Sequence, residues 1–117
     1  MTNHNQRVGA WGEETAAVWL TSRGYEVSRR NVRTPYGEID IIALKNQVTY
    51  FVEVKTLTRT QSFYPEHQIT GRKREHMLNA AQHFAAENEI ERWQIDVISV
   101  EGKPGSEPVI THFENIQ

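Results

Sequence analysis

Three charged residues stand where strands ought to bury apolar surface. Asp40 lies among isoleucines in Glu38-Ile39-Asp40-Ile41-Ile42-Ala43-Leu44, and Glu53 and Lys55 interrupt the Val/Phe/Tyr run that follows. Burying an unpaired charge is costly, so the three must pair with one another, hold a cation, or face solvent in a cleft. Glu53 and Lys55 are two apart and share one face of a strand. If the chain turns tightly at Asn46-Gln47, counting outward sets Asp40 opposite Glu53, on the same face, with Cβ atoms roughly 5 Å apart. A turn shifted by one residue would separate them. Neighbouring carboxylates repel unless a cation lies between them. Oxygen ligands with no His or Cys nearby suit Mg²⁺ or Mn²⁺ rather than zinc. Such an ion polarises a phosphodiester and lowers the pKa of an attacking water. Lys55 would orient or deprotonate that water, or neutralise transition-state charge. The Val54 carbonyl offers a further ligand. On spacing alone, a structural ion pair of Lys55 with Glu53 or Asp40 at a sheet edge is equally compatible.

The elements that must carry these residues follow from periodicity. Val8, Trp11, Thr15, Val18 and Trp19 recur at helical spacing and predict a helix over 8–23, after a frayed tail at 1–6 and ending at Gly24. A strand is expected over 25–32, then turn chemistry in Thr34-Pro35-Tyr36-Gly37. The strand over 38–44 is apolar on both faces in its far half, as a central strand would be. A third strand fits 48–56 and a loop 57–69. Met77, Ala80, Ala81, Phe84 and Ala85 make the buried stripe of a second helix over 70–88. Strands over 93–100 and 109–113 complete the order α-β-β-β-α-β-β in a single α/β domain, 1–117.

Bulk composition narrows the function classes. The chain has 38% hydrophobic and 24% charged residues, which suits one packed domain. Thirteen Lys+Arg against fifteen Asp+Glu give a net charge of −2, against a nucleic-acid coat protein but compatible with an enzyme that meets nucleic acid on one face. With no cysteine, thiolate zinc sites and cysteine nucleophiles are excluded. The polar N-terminus carries no leader-like or membrane-spanning run, and a cytoplasmic protein without membrane partners is expected.

Gly37-Glu38-Ile39-Asp40-Ile41-Ile42-Ala43 followed by Phe51-Val52-Glu53-Val54-Lys55-Thr56 resembles the YraN-like family of uncharacterised bacterial proteins. Gly9-Ala10-Trp11-Gly12-Glu13, Arg23-Gly24-Tyr25, Asn31, Arg33, Pro65-Glu66, Thr70, Arg72-Lys73, Asp96-Val97 and Glu114-Asn115 extend the resemblance from about Arg7 to Asn115. It implies the restriction-endonuclease-like PD-(D/E)xK superfamily, with an αβββαβ core of mixed central sheet and flanking helices. It also implies a metal-dependent endonuclease acting on DNA, including branched DNA, with a kinship to Holliday-junction resolvases. Asp40 then takes the first acid of the motif, and Glu53 and Lys55 its second half. Glu13 matches an acid on the first helix that approaches the metal in the resolvase-like branch. Ile39 stands where the superfamily motif has proline, and Leu57 where the family usually has arginine; the second departure weakens a phosphate contact. Resolvase-like nucleases usually act as dimers, so a homodimer is consistent with the resemblance.

Other residues carry competing readings. Glu13 is equally a solvated acid in a first helical turn, where the helix dipole favours it. Glu38 faces the same way as Asp40 if the strand is regular, as an outer ligand or a partner for Arg33. Arg72, Lys73 and Arg74 oppose the dipole of the second helix unless an anion binds there. With Arg29, Arg30, Arg33 and Arg59 they would form the basic face a polyanion needs. Gln68 is a candidate support for Lys55. His67, His76, His83 and His112 show no ligand spacing with a second His or Cys. Trp11, Trp19 and Trp93 are assigned to the core, and Asp96 to a local pairing. The alternatives to a nuclease are a catalytically inactive nucleic-acid-binding module of the same fold and a protein-interaction domain whose charges are structural.

Overall fold

The computed structural model describes residues 4–57 and 71–116. Its order is α1 (His4–Ser22), β1 (Glu26–Thr34), β2 (Gly37–Lys45), β3 (Val48–Leu57), α2 (Gly71–Glu87), β4 (Trp93–Glu101) and β5 (Val109–Phe113). The expected α-β-β-β-α-β-β sequence is therefore the observed one. The strands form one mixed sheet in spatial order β1-β2-β3-β4-β5. β3 and β4 are parallel and the other neighbours antiparallel. A parallel pair needs a crossover, and α2 lies within it.

Each helix covers one face of the sheet. Ala16, Ala17 and Leu20 of α1 pack on Ile41, Ala43, Val52, Ile98 and Val100. Ala80, Ala81, Phe84 and Ala85 of α2 pack on Ile42, Phe51 and Ile95, as the apolar stripe predicts. With both faces covered, residues 95–100 of β4 are all buried. Among the described residues no helix is long and apolar enough to cross a membrane.

Two expectations about α1 need correction. The helix begins at His4, not at residue 8, so the expected frayed tail is partly helical. Its buried stripe runs through Val8, Gly12, Ala16 and Leu20, at i, i+4 spacing, while Val18 is 59% exposed. Small residues carry the stripe because the helix lies close to the sheet. A Cβ added at Gly12 would run into the Thr56 side chain on β3. Gly12 thereby sets the approach of α1, and with it the depth at which Glu13 meets the sheet.

The β2–β3 hairpin turns at Asn46 and Gln47, both with positive φ (51° and 68°), and Lys45 pairs with Val48. That two-residue turn matches the strand twist and fixes the register. The partners run from Lys45↔Val48 to Ile41↔Val52, so Asp40 and Glu53 are the residues that follow the last pair of the ladder.

Gly12→Ala is expected to lower stability by about 1–3 kcal/mol through overpacking against Thr56. Urea unfolding of Gly12→Ala, Thr56→Ala and the double variant checks it. A double variant that recovers much of the loss is the expected result.

Candidate metal and nucleic-acid site

At Asp40 the regular strand gives way. Ile41 belongs to the cluster under α1, but Ile39, two residues earlier, belongs to the cluster under α2. Side chains two apart on a regular strand share a face, so the alternation inverts between them. Asn31 lies across from Asp40, between the pairs Arg30↔Ile41 and Val32↔Ile39, and has φ 53°. Asparagine tolerates that left-handed geometry better than most residues. The regular alternation expected over 38–44 is therefore corrected at Asp40.

The Asp40 carboxylate reaches toward β3 and accepts a hydrogen bond from the Val54 N–H at 2.8 Å. The β2–β3 pairing stops one residue short of Asp40, so its side chain continues the backbone ladder. A strand residue's N–H and C=O point to the same side. The Val54 carbonyl consequently faces the same edge as Asp40. Glu53 and Lys55, half-buried, occupy the alternate positions of β3 that include Phe51.

Four carboxylates, of Asp40, Glu53, Glu13 and Glu38, lie near enough to feel one another's charge. Burial and then the charge of Glu53 push the Asp40 carboxyl up to about 7, with Glu13 and Glu38 adding to the shift and the Val54 N–H opposing it. Burial also raises Glu13, helped by Glu38 and Glu53 and opposed by Arg30 and a hydrogen bond from Asn31. Glu13 thus comes from mid-helix rather than from a first turn, and the dipole explanation for it falls away. Asn31 links it to the bend in β1. Glu38 lies 4.0 Å from Arg33, the partner expected for it, and its charge also raises Asp40.

The basic residues are dispersed. Arg29 lies over the Phe84 ring of α2 at 5.6 Å, whereas Arg30 pairs with Glu14 of α1 at 2.8 Å. Consecutive basic residues thus go to opposite faces, and the run is not one patch. Arg33 is exposed near the tip of the first hairpin. Arg59, Pro65, Glu66, His67, Gln68 and Thr70 lie outside the described residues, as do the side chains of Arg72 and Lys73.

Between the first hairpin and α2 is a cleft of about 150 Å³. Ile39, Phe51, Ala80 and Ile95 are its buried floor. Tyr36, Glu38, Glu53 and His76 surround it. His76 is exposed and stands at the opening with Glu53.

A second group was not legible from histidine spacing. Asp96, His112 and Glu114 are the one trio among the described residues whose candidate ligand atoms lie within 4.8 Å of one another. A search for His–His or His–Cys spacing misses it, because the ligands are a buried Asp on β4 and residues on and after β5. Asp96 is 0% exposed. It accepts hydrogen bonds from Gln94 Nε2 and the Asn115 N–H, both at 2.9 Å, and lies 2.7 Å from His112 Nε2. Those contacts satisfy both its oxygens and tie the chain after β5 to the sheet, as the assigned local pairing requires.

The sequence model described as "Uncharacterised protein family UPF0102" matches residues 12–100. A UPF0102 protein of Syntrophotalea carbinolica is 39% identical over 115 residues, covering 97% of this chain and 93% of its own length. One of Nocardia farcinica is 42% identical over 113 residues, covering 95% and 89%. One of Treponema pallidum is 47% identical over 87 residues, covering 74% and 68%. The solved structure of Pyrococcus furiosus SfsA in complex with Ca²⁺ aligns with 96% of this chain and 64% of that one, at 12% identity and a TM-score of 0.38. A likeness that loose does not bear on function.

Two outcomes follow. An acid whose folded pKa is raised binds more protons folded than unfolded, so stability falls as pH rises from about 4 through about 7. Without divalent metal, Asp40→Asn should be more stable than wild type at pH 8, by on the order of 1–2 kcal/mol, and lose that advantage near pH 4; urea midpoints across pH measure it. At the second group, His112→Ala should cost about 3 kcal/mol by leaving a buried carboxylate uncompensated. Thermal unfolding with and without Mn²⁺ separates this lock from a metal site, since a metal site would raise the wild-type midpoint and not that of His112→Ala.

Proposed function

The chain belongs to the uncharacterised protein family UPF0102, known also as the YraN family, and from that premise we propose that it is a divalent-metal-dependent endonuclease hydrolysing DNA phosphodiesters. The observation that supports this most is the Asp40 carboxyl, pushed up to about 7 by burial and then by the charges of Glu53, Glu13 and Glu38, which come from α1, β2 and β3. Mutually repelling carboxylates are what a bound cation relieves. The donors are carboxylate oxygens with a backbone carbonyl on the same edge, and that chemistry fits Mg²⁺ or Mn²⁺. Asp40, Glu53 and the Val54 carbonyl would hold the ion, with Glu13 in support. When bound, such an ion supplies charge neutralisation to a phosphodiester and acidity to an attacking water.

The chain's own residues supply the rest. The Val54 N–H fixes the orientation of the Asp40 carboxylate, so the ligand is preorganised. Lys55 orients the attacking water or neutralises charge that builds at phosphorus. Arg33, Arg59, Arg72 and Lys73 take the DNA backbone. A twofold assembly would suit branched DNA, which presents two related cleavage points.

Asp40→Ala and Lys55→Ala are expected to fold and to lose at least a hundredfold in Mg²⁺- or Mn²⁺-dependent cleavage of linear, flapped or four-way DNA. Gel assays on that panel, with far-UV circular dichroism to monitor folding, provide the check. Equal cleavage by wild type and both variants would assign the activity to a contaminant and sink the reading.

A further inference from the structure

The nuclease reading makes no use of the second group, Asp96, His112 and Glu114. Its side chains come from β4, from β5 and from the segment after β5, and their candidate ligand atoms lie within 4.8 Å of one another. Two of the three are held in place. Asp96 is fully buried, and its Oδ1 accepts from both Gln94 Nε2 and the Asn115 N–H. Its Oδ2 faces His112 Nε2 at 2.7 Å. The His112 ring meets the Trp19 ring at 5.4 Å and the Tyr25 ring at 6.1 Å, both at steep angles, so aromatic walls orient it.

A pair that only ties β5 to β4 has no use for Glu114. That residue sets a second carboxylate beside a buried one, and like charges so placed repel. Among the described residues no lysine or arginine forms an ion pair with either acid. Lys45 is engaged elsewhere, over the Tyr25 ring and with its ammonium donating to the Arg23 carbonyl. The excess negative charge is felt by the neighbouring phenols. Burial and then Glu114 push the Tyr25 hydroxyl up to about 12, with Tyr50 and Asp96 adding to the shift. Burial, Asp96 and Glu114 raise Tyr50 as well, against Arg92. A cation held by all three residues offsets both carboxylates and gives Glu114 a role.

The donor set selects the ion. One imidazole nitrogen and two carboxylate oxygens, with no thiolate, suit a borderline first-row divalent ion, whereas the all-oxygen set around Asp40 suits Mg²⁺ or Mn²⁺. Three protein ligands leave a fourth tetrahedral position for water, and Glu114 is exposed, so that position opens to solvent. We propose that Asp96 Oδ2, the His112 imidazole and the Glu114 carboxylate form a zinc site separate from the acidic cluster around Asp40. Either Nε2 or Oδ2 carries the proton that lies between them, and the entering ion releases it to solvent. At bond lengths of about 2.1 Å, tetrahedral ligand atoms stand about 3.4 Å apart. The Asp96–His112 pair therefore opens slightly and Glu114 closes in. Gln94 and Asn115 stay on Oδ1 and keep the carboxylate aimed. The ion joins β4, β5 and the chain that follows.

Calorimetric titration of the full chain with Zn²⁺, in excess Mg²⁺ to compete at all-oxygen sites, tests the proposal. Wild type is expected to bind one Zn²⁺ per chain. Because His112→Ala also costs stability, the informative variant is Glu114→Gln, which leaves the Asp96–His112 contact in place. It should weaken binding at least tenfold, while Asp40→Ala should bind as wild type does. Zn²⁺ should raise the thermal midpoints of wild type and Asp40→Ala, and that of Glu114→Gln far less. No zinc binding, or zinc binding that Glu114→Gln leaves unchanged, overturns the proposal. Zinc binding by a wild type that does not cut DNA removes the nuclease reading and retains this site. Metal-dependent cleavage without zinc binding does the reverse.

Discussion

The hydrogen bond from the Val54 N–H to Asp40 governs the arrangement around it. Where β2 leaves the register of β3, a backbone donor would otherwise go unpaired in a half-buried place. An unmade hydrogen bond there costs about 1–3 kcal/mol. Asp40 supplies the acceptor and is fixed in position by doing so. A neutral side chain could have filled the same gap. The use of a carboxylate brings a charge into the company of Glu53, Glu38 and Glu13, and burial together with these charges raises the proton affinity of Asp40 and Glu13. Structure and proposed chemistry thus meet in one side chain.

The frame around that bond is built to hold it. Gly12 lets α1 approach Thr56, which carries Glu13 to the sheet. Asn31 takes a left-handed conformation across from Asp40 and bonds Glu13, so the bend in β1 and the helix are coupled through one amide. The Asn46-Gln47 turn sets the register that leads to Asp40 and Glu53. At the far end of the sheet, the Asp96–His112 contact ties β4 to β5. There a buried carboxylate has its hydrogen-bond partners within the sheet and the segment after β5.

Much of this was legible in the sequence because it rests on local rules. Helix and strand periods and the turn at Asn46-Gln47 gave the element order and the register. The YraN-like motifs pointed to the family that the comparisons establish. What local rules missed has tertiary causes. Val18 fits a helical stripe by type, but the small residues Gly12 and Ala16 bring α1 closest to the sheet, so the stripe is rotated and Val18 faces out. Regular alternation failed at Asp40 because a non-local hydrogen bond and the φ of Asn31 override it. The Asp96, His112 and Glu114 group joins two strands far apart in sequence, which no spacing rule detects. Arg29 and Arg30 are adjacent in sequence and opposite in space for the reason any strand alternates, and the register shift between Val27 and Arg29 sets which goes where.

The central claim is that the acidic cluster is a cation site. Crystals soaked in Mn²⁺ and measured for anomalous scattering test it most directly. The account predicts a peak between Asp40 and Glu53 in wild type and none there in Asp40→Ala. A peak confined to Asp96, His112 and Glu114, or no peak at all, would contradict it.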